Sequence, residues 1–258
     1  MGNLNVETEK QISNLVVKVL DGLSTKARPS LEEIKRPKRF HGAVFSNEKI
    51  ICRSLASSVE TTIGAGFLLA LAEVVAKGKY SDVYREYGLS LKLDSAKVKA
   101  VDNTVINLRS GLRRPNHLEE MNTITSAASF HKTPVRITAD LYLGDHEDGP
   151  LFMEIATPLS NIDQCAESKR KMLLFLAANE GKRAQAFLAL TYNPYVKHHF
   201  YKWSFLKRIM DGREVLIRKE LWDKLGGPGI YEALLNVIRR ASDGWIRKNN
   251  NIELPRTS

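Results

Sequence analysis

The chain lacks most of what a membrane or secreted protein is built from. No apolar run reaches the roughly eighteen residues of a membrane span. The opening MGNLNVETEKQ has no basic-then-apolar leader pattern, so a cytoplasmic protein is expected. The only two cysteines, Cys52 and Cys165, fall in apolar helical contexts and read as reduced, buried thiols, not as a disulfide framework or a metal pair. His198 and His199 are adjacent, a poor spacing for two metal ligands on a helix or a strand. There is no internal repeat and no low-complexity tract. Acids are the scarcer charge, 29 against 39 Lys and Arg in 258 residues, for a net charge of +10. That surplus suits a polyanionic partner, because phosphate contacts dominate nucleic-acid affinity; solubility alone also accounts for it.

What is present reads as a single unit over 1–258: an N-terminal helix and basic arm (1–45), a core (46–245) and a loose tail (246–258). Residues 6–23 carry Ile12, Leu15, Val16, Val19 and Leu20 at helical spacing. Residues 25–41 are basic and proline-containing, either a solvated linker or an arm along a phosphate backbone. Residues 47–77 read as a long helix interrupted by Gly64 and Gly66. Helices are expected over 94–109 and 116–130, the second opened by an Asn116/Glu119 capping box. Between them Arg109, Arg113 and Arg114 make the most basic loop of the chain, suited to phosphates and guanine edges if it is more than a solvated turn. Aromatic and basic residues alternate over 195–203; a strand is expected at 215–217, a short helix at 221–225 and a last amphipathic helix at 231–245.

The informative stretch is 135–176. Val135, Ile137, Ala139, Leu141 and Leu143 alternate with polar residues, the period of a half-buried strand. A seven-residue turn cluster, 144–150, leads to a second strand with Leu151, Met153 and Ile155 on one face and Phe152, Glu154 and Ala156 on the other. Asp140 and Glu154 then sit on neighbouring strands of a hairpin. They are either solvated acids or a pair whose repulsion a divalent cation relieves. A helix opening at 160–163 and an apolar run at 186–192 complete a strand–helix–strand crossover.

These pieces resemble the PD-(D/E)xK nucleases, and more closely type II restriction endonucleases of the TdeIII-like group. The matching blocks are ADLYLG at 139–144, EIATPLSN at 154–161, SKRKMLL at 168–174 and KELWDKLGG at 219–227. The resemblance implies an α/β fold, a restriction-endonuclease-like central mixed sheet flanked by helices. It implies Mg2+-dependent hydrolysis of double-stranded DNA at a short palindrome by a homodimer. Under it, Asp140, Glu154 and the carbonyl of Ile155 hold the metal. Glu60 or Glu120 is a candidate extra acid, and DNA contacts fall to Arg109, Arg113, Arg114, Asn116, Asn161, Gln164 and Lys171.

Ala156 departs from the pattern, since the resemblance places the catalytic lysine there. Three explanations compete. The chain is a Lys→Ala variant disabled for cleavage, which the intact flanking blocks favour; the lysine has moved to the next helix as Lys169 or Lys171; or the chain is a non-catalytic DNA-binding descendant. Residues 169 and 171 lie about 200° apart around a helix, so at most one faces the site.

Overall fold

Strand-forming alternation in the first half of the core and continuous apolar runs in the second build one mixed sheet of five strands in the order β1-β2-β3-β4-β5. The computed structural model describes residues 2–25, 64–156, 160–193 and 204–249. Strands β1 (Val83–Asp94), β2 (Lys132–Leu143) and β3 (Leu151–Ala156) form an antiparallel meander. Strands β4 (Gln185–Leu190) and β5 (Val215–Ile217) add in parallel to β3, as the strand–helix–strand pattern requires.

Helices cover both faces. On one, α3 (Ser95–Ser110), α4 (His117–Thr125), α5 (Ile162–Ala178) and α6 (Ser204–Ile209) bury Leu108, Ile124, Met172, Phe175 and Ile209 against Ile137, Ala139, Phe152 and Leu188. On the other, α1 (Val6–Thr25), α2 (Ala65–Lys77), α7 (Lys219–Gly226) and α8 (Ile230–Lys248) bury Ile12, Val75, Trp222 and Leu234 against Leu141, Leu143, Leu151 and Met153. This is the expected α/β fold, and the seven-residue hairpin loop between β2 and β3 falls where expected. The N-terminal helix is docked on α8 through Glu9–Arg240 at 3.0 Å and Asp21–Trp245 at 2.7 Å.

Several local expectations are corrected. Strand β1 was not among the expected elements, although Leu89, Leu91 and Leu93 alternate along it and face the α5 side. The helix expected over 47–77 begins at Ala65 within the described residues, with Gly64 as its N-cap, and 47–63 lie outside them. The 116–130 helix stops at Thr125. Asn116 does cap it by accepting from Glu119 N, but Asn116 N in turn donates to Glu120 Oε1 at 2.9 Å, not to the side chain of Glu119. The basic arm, Cys52, the 195–203 stretch and the end of the tail also lie outside the described residues.

The alternation of β2 breaks at the residue of most interest. Ile137 and Ala139 pack on the α5 side, but Leu141 and Leu143 pack on the opposite side, and Tyr142 takes over the α5 side. The β1–β2 ladder skips one position, Glu86 opposite Asp140, and Glu86 adopts φ 52°. Both strands therefore turn over at Asp140, which leaves the regular ladder there.

Candidate active site at the fork of strands β2 and β3

The hairpin pairs Leu143↔Leu151, Tyr142↔Phe152 and Leu141↔Met153, then stops. The next residues on the two strands are Asp140 and Glu154, at the point where β2 leaves β3. The side chain of Asp140 substitutes for the missing ladder: its Oδ2 accepts from Ile155 N at 2.7 Å. Burial pushes the Asp140 carboxyl up, while that N–H and the nearby Lys171 pull it down.

Glu154 is 5% exposed and its carboxyl is pushed up to about 7, first by burial and then by the charge of Asp140. Two side chains of α5 meet it: Lys171 Nζ donates to both carboxylate oxygens, at 2.9 and 3.2 Å, and Ser168 Oγ donates to Oε2 at 3.1 Å. Helix α5 can present them because it opens on a complete capping box. Asn161 Oδ1 accepts from Gln164 N at 2.8 Å, and Gln164 Oε1 accepts from Asn161 N at 3.0 Å. Serine and lysine three apart then lie on one face.

Of the two candidate lysines only Lys171 reaches the acids. Lys169 points to the other side of α5, where it is fully buried between Glu120 and Glu214. Ala156 shares the α5 face of β3 with Phe152 and packs against that core. Asp140 and Glu154 offer oxygen donors alone, a set suited to a hard cation such as Mg2+, which needs few protein ligands because it keeps several waters. A cation between them would also relieve the repulsion that raises Glu154. No group of three metal-ligating side chains occurs among the described residues.

Comparison with known proteins decides the family. Residues 7–242 match the family model described as "Type II restriction endonuclease, HinfI". The chain belongs to the HinfI family of type II restriction endonucleases. Among its relatives are the type II restriction enzymes HgiCII and HgiEI of Herpetosiphon aurantiacus. HgiCII is 28% identical over 78% of this chain and 76% of its own. HgiEI is 27% identical over 81% and 78%. The type II restriction enzyme MjaII of Methanocaldococcus jannaschii is 25% identical over 70% of this chain and 52% of its own. No solved structure matches. The match bears out the type II restriction endonuclease expected from the sequence blocks and names the HinfI family; it does not confirm the TdeIII-like group.

In this member of the HinfI family the residues expected to touch DNA are spread over three roles. Arg109 ion-pairs with Asp163 in the first turn of α5, Arg113 lies 3.7 Å from Glu119, and Arg114 is exposed. Gly111, at φ 76°, closes α3 in the left-handed conformation and starts the loop that carries Arg113 and Arg114. Asn116, Asn161 and Gln164 are occupied as helix caps. Lys171 belongs with the acids. Glu120 sits in the buried cluster with Lys169 and shows no contact with Asp140 or Glu154, and Glu60 lies outside the described residues. Sequence reasoning missed Ser168 and Glu86; the serine–lysine spacing on the expected helix was the one available signal for Ser168.

Proposed function

We propose that this restriction endonuclease hydrolyses phosphodiester bonds of double-stranded DNA at a short palindromic site, using Mg2+, and that Lys171 takes the place of the lysine missing at position 156. The observation that carries this reading is the Lys171 ammonium on Glu154, beside the fork that holds Asp140. The protein acts as a homodimer, since a palindrome matches two-fold symmetry, with 1–258 forming one domain in the cytoplasm. No helix among the described residues is long and apolar enough to cross a membrane.

Asp140, Glu154 and the Ile155 carbonyl would hold the metal. Bound there, Mg2+ supplies Lewis acidity and neutralises charge on the phosphate. The chain's own groups prepare the rest. The Ile155 N–H fixes one oxygen of Asp140, and Ser168 fixes one of Glu154. Lys171 brings a flexible cation to the same carboxylate, where it offsets the negative charge that builds as water attacks phosphorus. An alanine at 156 is no obstacle when the cation arrives from α5.

The competing reading, a chain disabled at position 156, rests on Ala156 between otherwise intact flanking blocks. Both readings expect Asp140 to serve metal binding and not the fold. Asp140→Asn keeps the Ile155 N–H bond, so the melting temperature should hold while Mg2+-dependent cleavage of plasmid DNA is lost. Lys171→Ala should likewise slow cutting to a small residual rate and leave folding intact. A variant that cuts at the wild-type rate contradicts the role given to that residue, and one that unfolds makes it a structural partner.

A further inference from the structure

Beneath the basic loop lies a charged cluster that the chemistry above does not use. Lys169, Glu120 and Glu214 are each 0–1% exposed. The Lys169 ammonium lies 2.5 Å from Glu120 Oε2 and 2.5 Å from both oxygens of Glu214. Each acid also holds backbone or a ring from the chain around the loop. Glu120 Oε1 accepts from Asn116 N, the last residue of the loop, at 2.9 Å. Glu214 lies 2.9 Å from His117 Nδ1 and accepts from Asp211 N at 2.9 Å, while Asp211 Oδ2 accepts from His117 N at 3.0 Å. A second tie runs on the surface, from Arg109 at the other end of the loop to Asp163 of α5.

Burying a lysine with two carboxylates is costly, and an apolar trio of the same volume would stabilise the core at least as well. The cluster gives something else: an ion-paired link between the foot of the arginine loop and the side of α5 turned away from Glu154. Two residues further on, the opposite side of that helix carries Lys171.

We infer that Glu120 and Lys169 are positioning residues that couple the 109–116 loop to Lys171, so that engagement of the loop by DNA sets the ammonium on Glu154 for cleavage. This rests on the catalytic role proposed for Lys171.

The test uses Glu120→Gln, which keeps an acceptor for Asn116 N and removes the charge facing Lys169, while Glu214 still pairs that lysine. The full-length protein is assayed on a duplex carrying the site mapped from wild-type cut ends. Binding is measured in Ca2+ and single-turnover cleavage in Mg2+. The expected result is binding within about twofold of wild type and cleavage slowed tenfold or more. The slowing should vanish in a Lys171→Ala background, assayed on its residual rate at enzyme excess. An equal slowing in both backgrounds, or an unchanged rate in Glu120→Gln, overturns the coupling. Wild-type cutting by Lys171→Ala alone, or no cutting by the wild type, overturns instead the reading on which it rests. Should Glu120→Gln melt far below wild type, Glu120→Asp keeps the charge and shortens its reach; it should fold and show the same loss confined to the Lys171 background, and an undiminished rate there also overturns the coupling.

Discussion

A buried glutamate whose carboxyl is pushed up to about 7 is a poised residue. Glu154 has an ordinary value of 4.5 and is raised to about 7, so its ionised form is disfavoured by on the order of 3 kcal/mol relative to the unfolded chain. The sign follows from the direction. For a carboxyl raised in the fold, stability is full below 4.5 and is lost as pH climbs through about 7. Glu154→Gln removes that loss but leaves Lys171 without its carboxylate. In chelator the variant should melt above wild type by the equivalent of about 1–3 kcal/mol at pH 8, with the gap closing by pH 4. Thermal melts at the two pH values check this, and an unchanged gap across the range would contradict the strained-acid description. Such a residue gains most from a nearby cation, because the buried charge that costs stability is the charge that binds metal.

At the scale of elements, α5 carries the chemistry on one side and the buried ion cluster on the other, and its first turn decides its pose. Asn161 and Gln164 were expected to touch DNA, but both side chains are used in the capping box. Asn161→Ala should cost about 1 kcal/mol of stability in denaturant titration. Its effect on duplex affinity should be small; a large loss of affinity with unchanged stability would return Asn161 to the DNA contacts. The elements themselves were largely legible. Periodicity marks α1, α5, α7, α8, the hairpin and β5, because each has a single buried stripe or a short apolar run. The turnover of β2 at Asp140 was not legible. Alternation in Val135, Ile137, Ala139, Leu141 and Leu143 continues unbroken in the sequence, while the faces exchange in the fold. The exchange depends on β1, where Glu86 takes a left-handed φ that no local pattern announces. Strand β1 itself was passed over because one of its faces is polar and exposed.

For the whole molecule, the sheet and its two helical layers bring acids from a hairpin and a lysine from the next helix to one fork. Spacing puts Asp140 and Glu154 on neighbouring strands, and the fold sets them side by side where the β2–β3 pairing stops. The choice between Lys169 and Lys171 could not be read from spacing, since helical geometry shows that they face apart and not which of them faces the sheet. Their contacts settle it: Lys171 Nζ meets Glu154 of β3, while Lys169 is held by Glu120 and Glu214. The central claim is that Lys171 supplies the cation that Ala156 lacks. Its most direct test is cleavage by the unaltered chain. Wild type and Ala156→Lys are incubated in Mg2+ with a plasmid pool containing every short palindrome, and the ends are mapped. Wild type is expected to cut at defined sites, with Ala156→Lys giving no gain in rate. A silent wild type alongside a cutting Ala156→Lys would contradict it and return the chain to a nuclease disabled at position 156.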